Sequence, residues 1–224
     1  MDTTFRIYPI GIQNFERLRN NNNVYVDKTE LIYRLANTNN IYFLSRPRRF
    51  GKSLLVSTLD AYFRGKKDLF QGLAMERLEK EWNVYPVLHL DFSMTKYTAL
   101  SDLLGQLNLN LYDWEKLYGK EEVEGTPAER FRGVIRRAYE QTGKPVVVLI
   151  DEYDAPLLDS NHLPELQNEL REEMRKFFSP LKAQGEYLRF LFLTGISKFS
   201  QMSIFSELNN LQNISMRDDY SAIC

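Results

Sequence analysis

Gly51-Lys52-Ser53 has the residue types that hold a polyphosphate. The apolar run Ile41–Leu44 leads into a turn, Ser45-Arg46-Pro47-Arg48-Arg49-Phe50, which ends in these three residues, and a helical pattern follows at once. That is the layout of a phosphate-binding loop, G-x-x-x-x-G-K-[ST], with its last three positions filled and its first glycine replaced by Arg46. Gly51 lets the backbone curl under a phosphate without a Cβ in the way. The N–H groups of Phe50, Gly51, Lys52, Ser53 and Leu54 then face one concavity at the positive end of the next helix. Lys52 is the point charge for the terminal phosphates, and the Ser53 hydroxyl is placed for Mg²⁺. A residue with a Cβ costs about 1–2 kcal/mol in a left-handed conformation, so Arg46 is expected to stay extended. Pro47 supplies no N–H and holds Arg46 extended. A basic turn at a helix start that happens to read Gly-Lys-Ser is the plainer alternative for this stretch alone.

A second group lies about a hundred residues on. Four apolar residues, Val147–Ile150, run into Asp151-Glu152. A buried strand aims Asp151 at the Mg²⁺ shell opposite Ser53, and Glu152 is placed to orient or polarise a water. The order and spacing of loop and acidic strand end favour a nucleotide site over an acidic turn. A third group is Thr194-Gly195 at the end of the apolar run Leu188–Leu193. Thr194 there either senses the γ-phosphate or the water, or is simply a polar residue leaving a strand. Asp91, ending Pro86–Asp91, either orients the site or caps a turn. Arg48 and Arg49 form a positive cluster beside Lys52. They hold phosphates, reach a neighbouring subunit's nucleotide, or form a solvated face. His89 and His162 stand too far apart to argue for a metal site.

These groups need a scaffold of strands ending side by side. Four strands are expected, at 41–44, 86–91, 145–150 and 188–193, with a short fifth within 208–216. Helices are expected at 30–36, from Lys52 to near Gly65, at 66–83, 101–118, 128–142 and 163–182. Residues 8–23 read as a loop because of the run Asn20–Asn23, and Asp27 or Thr29 is placed to cap the helix that follows. Strands alternating with helices imply a parallel sheet covered on both faces, with ligands beyond the carboxyl ends of the strands.

Composition agrees with a packed domain. The chain has 224 residues, 43% of them hydrophobic and 26% charged. Its 29 Lys+Arg against 30 Asp+Glu leave a net charge of -1, so the global electrostatic footprint of a nucleic-acid binder is absent. The single cysteine, Cys224, excludes an internal disulfide framework and fits a reducing cytoplasm. Met1–Arg6 lacks the pattern of a signal peptide, and no apolar run approaches membrane-span length.

Five segments taken together resemble a known family. They are Tyr25-Val26-Asp27-Lys28-Thr29, the loop from Ser45 to Ser53, Leu90-Asp91-Phe92-Ser93, Ile150-Asp151-Glu152-Tyr153-Asp154, and Leu193-Thr194-Gly195. They resemble the AAA-ATPase-like family of bacterial P-loop proteins, similar to archaeal-type and STAND ATPases, over nearly the whole chain. The resemblance implies a P-loop three-layer α/β sandwich of the additional-strand class, with sheet order 5-1-4-3-2. It implies ATP and Mg²⁺ as cofactors, Lys52 on phosphate, Ser53 and Asp151 on metal, Glu152 on water and Thr194 as a sensor. The segment holding Tyr25 and Asp27 would border the adenine. In this family Arg-Pro-Arg-Arg-Phe before Gly-Lys-Ser is the usual loop, so Arg46 departs only from the general pattern.

A single domain, 1–224, is expected: an adenine-side segment to residue 40, a core from 41 to 216, and the start of a lid from 217. Family members often continue into a lid and a PD-(D/E)XK nuclease-like domain, so the chain reads as a fragment. Three functions stay open: ATP hydrolysis that regulates a domain outside this chain, a nucleotide switch without turnover, and the regulatory part of a nuclease. The partners implied are ATP, a second copy of the chain, and nucleic acid through a domain outside it, with no membrane. No Asn-Lys-x-Asp guanine motif occurs.

Overall fold

The structure is a computed structural model that describes residues 7–196, 204, 205, 208 and 210–224. The first six residues, where a leader was sought, lie outside the described residues, as does residue 209 within the segment expected to carry the fifth strand. The strands are β1 (Ile41–Ser45), β2 (Val87–Asp91), β3 (Val146–Asp151), β4 (Leu188–Gly195) and β5 (Gln212–Asn213). They form one sheet in the order β2-β3-β4-β1-β5, with every described pairing parallel. From the β5 edge this is the order 5-1-4-3-2. The edge strand is only two residues long.

Period-two alternation sorts the strand residues between two cores. Phe43, Val148, Ile150, Leu191 and Leu193 face one core, and Tyr42, Leu44, Val147, Leu149 and Phe192 face the other. The first core is covered by α5 (Leu100–Tyr118), α6 (Pro127–Thr142) and α8 (Pro164–Phe178). Leu103, Leu107, Leu111 and Trp114 of α5 recur at helical spacing and are buried there. Thr126 and Glu129 make a reciprocal capping box at the start of α6, and Gly143 closes it at φ 64°. The second core is covered by α1 (Phe15–Asn20), α2 (Thr29–Thr38), α3 (Lys52–Phe63) and α4 (Ala74–Leu78). Two short helices, α7 (Ala155–Asp159) and α9 (Pro180–Ala183), complete the set among the described residues. The sheet with helices on both faces is the three-layer α/β sandwich expected.

Some elements differ from expectation, each for a local reason. Helix α1 sits where a loop was expected, started by Asn14, whose side chain accepts from the Arg17 N–H. The span 66–83 is one 3-10 turn and the short α4, split at Gly72 with φ 77°. The charged helix expected over 163–182 divides before Pro180, which cannot continue the backbone ladder. Glu124, in the loop after α5, is buried against Arg137 of α6. No helix among the described residues is long and apolar enough to cross a membrane.

Candidate functional site

The carboxyl ends of β1, β3 and β4 lie side by side, which follows from the register. Leu44 pairs with Thr194 and Ser45 with Gly195, while Ile150 pairs with Leu193 and Asp91 with Asp151. The Arg46 N–H continues the ladder to the Gly195 carbonyl at 3.1 Å. Arg46 is not among the residues with positive φ. Its guanidinium turns away from the loop onto the Ser215 carbonyl. The left-handed positions are Arg49 (φ 70°) and Gly51 (φ 81°). A Cβ at Gly51 would meet nothing within 4 Å, so glycine is favoured there by its left-handed backbone and not by packing.

Gly51 is the N-cap of α3 and has no side chain to satisfy the first N–H groups of the helix. Gly51, Lys52, Ser53 and Leu54, at this positive helix end, line the larger of the two cavities at the loop, which suits an anion. Lys52 is 4% exposed. Its Nζ donates to the carbonyls of Arg46 (3.1 Å) and Pro47 (3.3 Å) and pairs with Glu152 Oε1 at 3.0 Å. Loop and acidic strand end are thus joined through one ammonium group.

Asp151 is 2% exposed and accepts a hydrogen bond from the Thr194 hydroxyl. Thr194 is fully buried, and its Oγ1 also accepts the Glu152 N–H at 3.3 Å. Glu152 holds φ 51°, an uncommon conformation for a residue with a Cβ. Burial pushes the Glu152 carboxyl above its ordinary value, and the neighbouring Lys52 opposes that only in part. Gly195 allows Tyr153 and Asp154 to approach: a Cβ there would lie 2.5 Å from the Tyr153 ring and 2.8 Å from Asp154 Oδ1.

Two cavities meet at the loop. One, of about 880 Å³, runs past Arg48, Lys52, Ser53 and Glu152 to Thr95 and Lys96 on the far wall. The other, of about 540 Å³, is mainly apolar and is lined by Tyr25, Val26, Ile32, Phe50 and Leu55, with Lys28 at its edge. Arg49, Gly51 and Leu54 border both. A polar groove joined to an apolar slot across a glycine suits a ligand with a charged end and a flat apolar end. Tyr25 belongs to the slot, and burial raises its phenol to about 12, so it stays protonated.

Asp27 is not brought to either cavity. Its carboxylate accepts from the Thr29 N–H (2.9 Å), the Thr29 hydroxyl (2.6 Å) and the Ala74 N–H (2.7 Å), tying the start of α2 to that of α4. Asp91 caps the turn after β2, accepting from the Ser93 N–H at 2.8 Å. Lys96 and Asp159, paired at 3.2 Å, line the groove and were not singled out from the sequence. Lys96 follows the carboxyl end of β2, where the strand-end rule also points.

Comparison with known proteins agrees with this arrangement. Residues 9–205 match the family model AAA-ATPase_like, described as Predicted AAA-ATPase. The chain belongs to this AAA-ATPase-like family. Nucleotide is the ligand class that membership brings, and the joined cavities have the polarity for it. The family member is 41% identical over 217 residues to a protein of Azotobacter chroococcum mcd 1 described as an uncharacterized protein in the vnfD 5′ region. That alignment covers 96% of this chain and 42% of the relative, so the chain spans about two fifths of the length of the curated relative it matches. No solved structure matches.

Proposed function

We propose that this AAA-ATPase-like domain binds ATP with Mg²⁺ and hydrolyses it, and that the cycle regulates a domain outside this chain. The observation that supports it best is the Lys52–Glu152 contact at 3.0 Å, which puts a phosphate-binding cation and a water-orienting carboxylate in one groove. The triphosphate lies over the N–H groups of residues 50–54, with Lys52 on the terminal phosphates and Arg48 and Arg49 at the mouth. The base occupies the apolar slot beside Tyr25.

Magnesium in such a site is held largely by phosphate oxygens and water and needs few protein ligands. Among the described residues no cluster of three His, Cys, Asp or Glu side chains could hold a metal. Ser53, which lines the groove, and Asp151, which is buried and lines neither cavity, would be the donor set, and hard oxygen ligands are what the ion takes. The bound ion would neutralise charge developing on the phosphates.

Glu152 orients a water toward the γ-phosphorus. The new P–O bond forms as the bond to the β–γ bridging oxygen breaks. ADP leaves, and the water's proton passes through the carboxylate to solvent.

A second reading, a nucleotide switch without turnover, has one observation in its favour. Glu152 Oε1 is paired with Lys52 at 3.0 Å, and a carboxylate that keeps this pairing has less of its acceptor capacity to spend on a water. Calorimetric titration of ATP and GTP with Mg²⁺ tests binding. Lys52→Ala removes a buried charged hydrogen-bond donor worth about 1.5–3 kcal/mol, so its affinity should fall roughly ten- to a hundredfold. No heat from either nucleotide with the parent chain would end the nucleotide reading. Binding without phosphate release would select the switch.

A further inference from the structure

We infer that Thr194 is a positioning residue for Asp151 and Glu152 and makes no contact with nucleotide; this rests on the proposed nucleotide reading of the site. A threonine hydroxyl has one proton and two lone pairs. Here the proton goes to Asp151 Oδ1 and a lone pair accepts the Glu152 N–H at 3.3 Å. Reading a phosphate oxygen would require that same proton, so the hydroxyl would have to release Asp151 first. Thr194 is 0% exposed, and Asp151 beside it is 2% exposed, so the pair forms in a region from which water is largely excluded. In the nucleotide-free site, releasing Asp151 would leave a buried carboxylate short of a donor.

The backbone of Thr194 acts in the same direction. Its carbonyl accepts the Tyr153 N–H at 3.0 Å. Side chain and main chain of one residue therefore grip the consecutive N–H groups of Glu152 and Tyr153, on the C-terminal side of β3. Between these grips Glu152 holds φ 51°, a conformation that persists in a residue with a Cβ only where its surroundings impose it. The outcome is the placement of its Oε1 3.0 Å from Lys52 Nζ. Next along β4, the Gly195 carbonyl accepts the Arg46 N–H at 3.1 Å. The end of β4 thus ties the first residue of the loop to the two carboxylates.

The test uses nucleotide-free protein first. Lysine acylation by a small amine-reactive ester, followed by mass spectrometry of the Lys52 peptide, reads how tightly Glu152 holds the ammonium. Thr194→Val removes the hydroxyl and keeps the shape. It should speed acylation of Lys52 about fivefold, the worth of one hydrogen bond of about 1 kcal/mol, and Thr194→Ser should restore the parent rate. ATP and ADP titrations follow, and Thr194→Val should not lower the affinity for ATP relative to that for ADP. An unchanged acylation rate with selective loss of ATP affinity would overturn the inference and make Thr194 a phosphate contact. Failure of Thr194→Ser to restore the rate would also overturn it, because the methyl group and not the hydroxyl would then do the holding. If Thr194→Val does not fold, Thr194→Ala against Thr194→Ser gives the same comparison. If the parent chain binds no nucleotide, the acylation result still decides the positioning role, so the two failures are distinguishable.

Discussion

Replacing Glu152 by Gln should strengthen nucleotide binding while abolishing turnover. Lys52 is held by Glu152 at 3.0 Å, with side-chain exposures of 3% and 16%, and an arriving phosphate must take over that ammonium group. The bare attraction at this distance is about 5 kcal/mol with an effective dielectric constant near 20. Burial of the carboxylate offsets much of it, because the Glu152 carboxyl is pushed above its ordinary value of 4.5 despite Lys52. The net worth is then that of a charged hydrogen bond, about 1.5–3 kcal/mol. Release of that contact predicts a gain in ATP affinity of roughly ten- to a hundredfold.

Removing a negative charge from the groove would itself raise affinity, so Asp159→Asn serves as control. Asp159 lines the same groove but pairs with Lys96, and its loss should give a smaller gain. Calorimetric affinities for both variants, with phosphate release measured in parallel, read the result. An affinity for Glu152→Gln equal to or below the parent's, or equal gains in the two variants, would refute the competition argument. Unchanged phosphate release in Glu152→Gln would refute the role of Glu152 on water. A pH dependence of stability goes with it. The raised folded pKa means that ionised Glu152 weakens the fold, so the Gln variant should be the more stable above that pKa. The two proteins should converge as pH falls through it toward 4.5.

Two further variants test the scaffold. Gly195→Ala puts a Cβ 2.5 Å from the Tyr153 ring and 2.8 Å from Asp154 Oδ1; overpacking of this kind costs about 1–3 kcal/mol, read as a lowered denaturant midpoint, and an unchanged midpoint would show that the site end of β4 yields freely. Asp27→Ala removes the acceptor for two N–H groups and a hydroxyl at the starts of α2 and α4, at a cost of about 1 kcal/mol as for a lost helix cap, with nucleotide affinity unmoved. Burial acts to raise the Asp27 carboxyl, but hydrogen bonds from Thr29 and Ala74 outweigh it and hold it below 3.8. Its contribution should therefore be present above 3.8 and be lost as pH falls through the depressed folded value, a step absent from the variant's acid unfolding curve.

The features legible from sequence were those with a strong local cause. Val146–Asp151 is buried throughout, and a β-branched run of that length has few other uses in a parallel sheet. Gly143 is left-handed at the end of α6, as its place after a helical pattern implies. Elements were missed where tertiary contacts override a local signal. The Asn run at 20–23 hid α1, whose Phe15 and Leu18 are buried while Arg19 donates to the carbonyls of Leu69 and Gln71. The segment 66–83 carries helix-forming charge, yet Leu69, Phe70, Leu73 and Met75 are all buried in one core, which a turn with Gly72 at φ 77° permits and a continuous helix would not.

The site divides along the same line. Knowing where strands end places Lys52, Asp151, Glu152 and Thr194 near one another, because a parallel sheet aligns its carboxyl ends whatever the side chains are. What that rule cannot supply is the direction of each hydroxyl proton and carboxylate. Thr194 and Asp27 both carry groups that suit a ligand. One turns its proton to Asp151, and the other turns its oxygens to Thr29 and Ala74. Each choice depends on a partner distant in the chain, 43 residues for Thr194 and 47 for the Ala74 contact. Residue type and spacing therefore locate the chemistry, while the sharing of roles among neighbouring polar groups is decided by which of them has a protein partner and which is left facing the groove.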